Sequence, residues 1–322
     1  VPGSSTCPAC LHPDSALFET LETDAIARCW ARLNLHGGAG PDEILRYVRE
    51  DIGTPTVQIL RCDACGLEFA HPSRTWSSLH YPHEPHGLGW DHSQALAELA
   101  NMPPSRVLDV GCADGQFLAR AASLGHTVTG VDFSPEDIES SRRQGFEAYV
   151  ADLSKDNALV EGNRLFDAIT LFQVIEHLEA PDLVFEQLSR LAAPGATLML
   201  GCPSARRYTR AFRHAERIGS SDFWDCPPQH SLRWTPAALE AFTARHGWSV
   251  RHVAFEPLAP LHAAAHLAGL SEYTSKFARR AATMSYLAGL KFRCPTGIRL
   301  YFRAIRVMPS RKSPGSSEQS VS

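Results

Sequence analysis

Asp109, Gly111, Gly115 and Asp132 have the types and spacing of residues that hold a nucleotide cofactor. Val107-Leu108-Asp109-Val110 is a short apolar run suited to a strand covered on both faces, and Gly111 and Gly115 permit a tight turn and close approach of backbone to a ligand. A second run, Thr127-Val128-Thr129-Gly130-Val131, ends on Asp132 about twenty residues past the loop, where a carboxylate can accept hydrogen bonds from both ribose hydroxyls. The elements that must position these groups are legible around them. Asp114 can cap a helix from Gln116 to Leu124, whose Phe117, Leu118, Ala121, Ala122 and Leu124 recur at near-helical spacing until Gly125 stops it.

The loop also selects among cofactors. A dinucleotide fingerprint spaces its glycines G-x-G-x-x-G and offers a helix N-terminus to pyrophosphate. This loop is G-x-A-x-G flanked by Asp109 and Asp114, acids that repel a diphosphate and suit a cofactor with a cationic amino group. The run resembles motif I of class I S-adenosylmethionine-dependent methyltransferases, with Ala113 where many members carry glycine. The resemblance continues in register. Phe146 to Val150 looks like the third strand, followed by Asp152-Leu153 on the adenine side. Phe166 to Leu178 looks like the fourth strand and the wall of the methyl-transfer cleft, as in the ubiquinone-biosynthesis-like branch, and carries Gln173, Glu176 and His177. A helix from Pro181 to Leu191, a turn at Pro194-Gly195 and a strand from Ala196 to Gly201 complete the fifth unit, so the resemblance covers roughly 86–255. It implies an α/β fold: a seven-stranded, mostly parallel, doubly wound, Rossmann-like sheet. It also implies S-adenosylmethionine as cofactor, held by Asp109, Gly111, Cys112, Ala113, Gly115, Asp132, Phe133, Asp152, Leu153 and Gln173.

Methyl transfer from a sulfonium is an in-line displacement that needs alignment, a dry cleft and, for a hydroxyl or carbon acid, a base. His177 and His230 have near-neutral unperturbed pKa values, and Glu176 can orient or charge-stabilise an imidazolium, so these three are the candidate catalytic residues. Tyr208 is a weaker candidate. The bland alternative has Glu176 capping the following turn and His177 shaping the cleft, and an amine acceptor that arrives deprotonated needs no base. Between Pro203 and Trp234, Arg206, Arg207, Arg210, Arg213 and Arg217 are spaced to share a helical face, which fits an anionic substrate and equally a solvated helix. Trp224 and Trp234 can wall the cleft, with core packing the safer expectation for each.

Upstream, Cys7-Pro8-Ala9-Cys10 and Cys62-Asp63-Ala64-Cys65-Gly66 form two C-x-x-C pairs, each able to offer two thiolates to one tetrahedral Zn²⁺. Structural zinc is the leading expectation for Cys7, Cys10, Cys62 and Cys65. Disulfides or a redox pair are the alternatives, against which stand the lack of a secretory apolar stretch and of a thioredoxin-like helix. The stretch between the pairs holds amphipathic segments at Asp24–Leu35 and Asp42–Val48, a helical insertion. Leu67 to Pro72 resembles the ending of zinc modules that precede methyltransferase domains in bacterial sugar-modifying and natural-product enzymes. His71, His80, His83 and His86 can supply an alternative ligand. Cys29, Cys112, Cys202, Cys226 and Cys294 show no paired spacing, and a total of nine argues against a disulfide framework.

These signals divide the chain into a zinc-binding module at 1–85, a methyltransferase domain at 86–308 with substrate-side insertions at 203–235 and 256–296, and a Ser-rich disordered tail at 309–322. Trp248–Phe255 reads as a sixth strand and Ile298–Val307 as a seventh, antiparallel edge strand. The 322 residues suffice for one α/β core and a smaller module, no run reaches membrane-spanning length, and a cytoplasmic location is expected. A net charge of −4 provides no general field for nucleic acid. The favoured function is methyl transfer to carbon or oxygen of a small anionic intermediate, such as a nucleotide-linked sugar or natural-product precursor. An rRNA or tRNA methyltransferase and a non-catalytic cofactor-binding scaffold are the competing classes, and the oligomeric state is open.

Overall fold

The computed structural model describes residues 6–33, 39–77, 80, 87–155, 164–203, 226–256 and 299–307, and the structural statements below concern these. The apolar runs singled out above become the centre of a seven-stranded sheet. Its strands are β4 (Arg106–Val110), β5 (Thr127–Asp132), β6 (Glu147–Val150), β7 (Phe166–Phe172), β8 (Ala192–Pro203), β10 (Trp248–Phe255) and β11 (Arg299–Arg306), in the order β10-β11-β8-β7-β4-β5-β6. The five strands from β8 to β6 are parallel. Val107, Leu108, Ala168, Ile169 and Leu171 are fully buried, as strands covered by helices on both faces require. The covering helices include α3 (Trp90–Leu99), α4 (Gln116–Ser123), α5 (Pro135–Arg143), α6 (Pro181–Leu191) and α7 (Pro236–Arg245).

One strand position corrects the sequence reading. β11 is not an edge strand: it pairs antiparallel with β8 on one side and β10 on the other, leaving β10 at the edge. Burial accounts for the difference, because Leu300, Tyr301, Phe302 and Ala304 are all withdrawn from solvent and the polar members of the alternation do not form an exposed face. Arg303 instead pairs with Glu98 of α3 at 3.3 Å.

The N-terminal residues build β1 (Ser15–Glu22), α1 (Thr23–Leu33), α2 (Pro41–Ile52), β2 (Thr56–Cys62) and β3 (Glu68–His71). The amphipathic segments between the cysteine pairs are therefore helices, as expected, and two strands accompany them. Their apolar faces enclose a separate core of Ile26, Trp30, Ile44, Val48, Ile52, Val57 and Trp76. A second sheet, β1-β2-β3-β9, is completed by β9 (Leu232–Arg233) from far downstream. The cysteine knuckles belong to the apolar core shared with Phe185, Trp234, Leu239 and Phe242, which makes Trp234 a core residue, as expected. The arginine segment 206–217, Tyr208, Trp224, Cys294, the insertion beyond residue 256 and the tail 309–322 lie outside the described residues. Among the described residues no helix is long and apolar enough to cross a membrane.

Candidate active site

In the parallel part of the sheet, β4 leads outward to β5 and β6, while β7 returns to its other side, so the chain reverses direction across the sheet between β4 and β7. Loops leaving the carboxyl ends of strands diverge at such a point and open a crevice. The glycine loop leaves β4 there. Gly111 has φ +79°, and a Cβ on it would overlap the Val174 side chain, so this loop is packed directly against the segment that follows β7. Gly115, at φ +88°, leaves room for Ser141, whose Oγ would lie 2.7 Å from an added Cβ. That hydroxyl donates to the Ala113 carbonyl at 3.0 Å, and Gln144 Nε2 donates to the Asp114 carbonyl at 2.6 Å, so α5 holds the loop from outside. Gly115 rather than Asp114 occupies the N-cap of α4, because that position adopts a left-handed backbone. Asp114 accepts from Gln116 Nε2 instead.

Asp132 closes the loop from the end of β5. Its Oδ2 accepts from the Ala113 amide at 3.0 Å and its Oδ1 from the Ser134 amide at 2.9 Å. A carboxylate has about four acceptor positions, and these bonds use one on each oxygen. They also hold Ala113 at φ +46°, a conformation that costs an L-residue roughly 1 kcal/mol or more. Phe133 follows with an exposed ring. Cys112 turns away from the crevice: its Sγ would lie 2.6 Å from a Cβ on Gly130, so only its backbone lines the loop. Burial, then the charges of Asp109 and Asp132, push its thiol well above the ordinary range.

Asp109 is buried beneath the loop, and its Oδ1 accepts from Thr170 Oγ1 at 2.6 Å. Burial raises its pKa to about 6, against the opposing Thr170 hydrogen bond and the nearby His92. Past the end of β6 Leu153 is buried, while Asp152 accepts from the Ser154 amide at 2.9 Å and pairs with Lys155 at 2.7 Å. Burial opposes ionisation of Asp152, but Lys155 and Ser154 outweigh it and the net shift is downward. Gln173 sits at φ +55°, donates its amide N–H to the Gly201 carbonyl at 2.8 Å, and turns its side-chain amide onto Asp91 Oδ2 at 2.8 Å.

Asp91 and His92, in the first turn of α3, had not been singled out from the sequence. Asp91 is buried over Gly201, where a Cβ would overlap it, and the His92 ring lies 4.2 Å from that of Phe172. An acid-histidine pair opening a helix just before the first core strand is a faint signal. Its proximity to Gln173 and Asp109 is produced only by the sheet crossover.

Beyond Gln173 the chain makes a 3-10 turn at Ile175–His177. Glu176 is buried and His177 partly so, and His230 arrives from the other side, with its ring centroid 4.6 Å from that of His177. One carboxylate oxygen of Glu176 and one ring nitrogen each of His177 and His230 lie within 4.8 Å of one another. Glu176 does not cap α6, whose N-cap position is Ala180. Cys202 lies under the cluster; burial, then the charges of Glu176 and Asp91, hold its thiol far above the ordinary range.

The four knuckle cysteines also converge. Cys7 and Cys65 sulfurs are 3.6 Å apart, those of Cys10 and Cys62 3.5 Å, and all four lie within 4.8 Å of each other. These separations are far beyond a disulfide bond and close to the edge of a tetrahedron with 2.3 Å arms, about 3.8 Å. The hydrogen bond with Cys65 holds Cys7 low, at about 5, and pushes Cys65 up. His71 is exposed on β3, and His80 is hydrogen-bonded to Asp51 at 3.0 Å, so neither joins the cysteines. His83 and His86 lie outside the described residues.

A doubly wound sheet with a glycine loop and a spaced acid at its switch point defines a Rossmann-like, nucleotide-cofactor-binding protein of the class I methyltransferase type. Residues 89–253, just over half of the chain, match the family model described as a methyltransferase domain. The chain belongs to this methyltransferase family. It is 33% identical over 141 residues to a ubiquinone biosynthesis O-methyltransferase of Xanthomonas oryzae pv. oryzae, covering 41% of this chain and 58% of that protein. The corresponding protein of a Caulobacter species is 28% identical over 189 residues, covering 55% and 70%. Among solved structures, an S-adenosylmethionine-dependent methyltransferase from Mesorhizobium loti matches with a TM-score of 0.45 at 18% identity, covering 68% of this chain and 99% of that one.

Proposed function

We propose that this chain transfers a methyl group from S-adenosylmethionine to a carbon or oxygen of a small anionic biosynthetic intermediate, such as a nucleotide-linked sugar or natural-product precursor. The observation that carries this reading is the packing of Val174 against Gly111, which sets the Glu176–His177 turn beside the cofactor loop. S-adenosylmethionine supplies an activated methyl group and leaves as a neutral thioether. Asp132 would hold the ribose and the loop backbone the methionine portion, with Asp109 opposite the cationic amino group. Asp152, Leu153 and Phe133 would border the adenine. His177 or His230 would take the acceptor proton, with Glu176 stabilising the imidazolium. The names of the curated relatives support an oxygen acceptor as the first chemistry to test. Cys7, Cys10, Cys62 and Cys65 would hold a structural zinc, and with four thiolates it would leave no open position for chemistry.

The test is transfer of labelled methyl from S-adenosylmethionine to a panel of nucleotide-linked sugars, catechols and bulk RNA. Label in a small acceptor supports the reading, and label confined to RNA overturns it. In the supporting case, with His177 as the base, His177→Ala is expected to lower turnover by roughly 10²-fold or more while leaving cofactor affinity unchanged, since general-base catalysis contributes on this scale. Unchanged turnover would remove His177 from that role and pass it to His230, and unchanged turnover in both His177→Ala and His230→Ala would sink the base.

Asp109 adds a pH dependence. Its pKa of about 6 is that of the protein without bound S-adenosylmethionine, and a bound ammonium favours the carboxylate. The free protein therefore takes up a proton below that pH that the complex releases. Affinity for S-adenosylmethionine is expected to be flat above pH 6 and to fall as pH drops through it, by up to about tenfold per unit. Calorimetry from pH 5 to 8, with Asp109→Asn removing the dependence, checks this.

A further inference from the structure

His230 reaches the cluster on a short piece of chain. A turn holds Gln229 and His230 through their amides to the Cys226 carbonyl, at 2.9 Å and 3.1 Å, and the chain then runs through Ser231 into β9. β9 meets β3 over two residue pairs, Glu68 with Arg233 and Phe69 with Leu232, and one further backbone hydrogen bond, from Ala70 to Ser231, continues their register. So short a ladder specifies register weakly, and a slip of one residue exchanges the side chains on its two faces. Ser231 or Gln229 would then stand where His230 stands.

At the centre of this ladder is a buried ion pair. Glu68 and Arg233 are both withdrawn from solvent, and Arg233 Nη1 lies 3.2 Å from Glu68 Oε2. Glu68 also receives Arg61 from β2, so its carboxylate bridges two guanidinium groups across three strands. Buried ion pairs add little net stability over apolar replacements, and their best-attested use is to single out one register. The consequences run straight to the cluster: the Ser231 amide donates to the Glu176 carbonyl at 3.1 Å, and Trp234 Nε1 donates to that of Ile175 at 3.4 Å. On the other side, Ala70 N–H donates to the Ser231 carbonyl at 2.9 Å and Ser231 Oγ to that of Arg74.

We infer that the Glu68–Arg233 pair is the positioning element that fixes the register of β9 and thereby presents His230 to His177. Neither Glu68 nor Arg233 belongs to the Glu176–His177–His230 cluster. The inference rests on the reading of His177 and His230 as the acid-base group for its functional meaning, but not for its test.

The test is nuclear magnetic resonance of the histidine rings in the full-length, cofactor-loaded chain, with His177 and His230 assigned through H177Q and H230Q. Ring centroids 4.6 Å apart in an edge-to-face arrangement place ring protons within reach of a nuclear Overhauser effect and shift His230 by the ring current of its partner. Two variants are measured. Arg233→Gln leaves Glu68 paired with Arg61, and Glu68→Gln with Arg233→Met removes both charges at similar volume. In either, the ring-to-ring effect is expected to vanish and the His230 resonance to move or split, with S-adenosylmethionine affinity unchanged because the 109–132 loop is untouched. A pair that merely stabilised the fold would lower the melting temperature and leave the ring contact intact. A folded variant with the native ring effect and a single native His230 resonance overturns the inference, and if one variant does not fold the other decides by the same criterion. Loss of the ring contact with methyl transfer retained would leave the positioning intact and remove the acid-base role.

Discussion

Asp132→Ala is expected to weaken S-adenosylmethionine binding by about 10²-fold or more, read by titration calorimetry. Two effects add. The variant loses the proposed ribose hydrogen bonds, and those to a charged group contribute about 1.5–3 kcal/mol each. It also releases the Ala113 and Ser134 amides, which the two carboxylate oxygens accept at 3.0 Å and 2.9 Å. Ala113 then has no carboxylate to hold its left-handed backbone, and the loop loses its preorganised shape. Asp132→Asn keeps one acceptor oxygen and is expected to fall between the two. Wild-type affinity in a folded Asp132→Ala protein would remove the cofactor site from this loop.

Removing the metal proposed for the cysteine cluster is expected to have the largest effect on stability. Elemental analysis of the purified protein should find about one zinc per chain, and Cys62→Ser or chelation should melt the N-terminal sheet. Structural zinc supplies about 10–16 kcal/mol in small finger peptides, as much as the whole folding free energy of a typical domain. The effect should spread, because the knuckles are not a separate appendage. Thr235, the N-cap of α7, donates its hydroxyl to the Cys65 carbonyl at 2.7 Å and accepts from the Ala238 amide at 3.0 Å. Arg245 at the far end of α7 donates to the Pro8 and Ala9 carbonyls at 3.0 Å and 2.7 Å, and pairs with Asp182 of α6. Thermal unfolding followed by circular dichroism should shift to lower temperature, and hydrogen exchange should rise across residues 56–71 and 230–235. A folded, metal-free protein with unchanged melting would overturn the zinc reading.

The glycine loop was legible because its signal is local. A strand, a glycine turn and a helix start are dictated within a dozen residues by backbone freedom and apolar spacing, and Asp132 follows one βα unit later at a distance the fold makes regular. The cysteine pairs were legible for a related reason, since two thiols three residues apart already form half of the four-cysteine cluster. Asp91, His92 and Thr170 were not legible as neighbours of that loop. Asp91 reaches Gln173 across 82 positions of chain and Thr170 reaches Asp109 across 61, contacts that exist only because β7 returns beside β4 and α3 crosses above Gly201. The place of β11 was hidden likewise: its alternating charges resemble an edge strand, and only pairing on both sides shows otherwise.

From the amino-acid order alone follow the glycine loop and the paired cysteines, set by periodicity and short-range chemistry, and the family resemblance, which implies the doubly wound sheet. Tertiary structure alone decided that His230 meets Glu176 and His177, and that a strand from beyond residue 230 completes the N-terminal sheet. The physical reason is that periodicity reports which face of an element is buried. Which distant element covers that face is decided by strand register and by buried pairs such as Glu68 with Arg233, whose partners lie 165 positions apart.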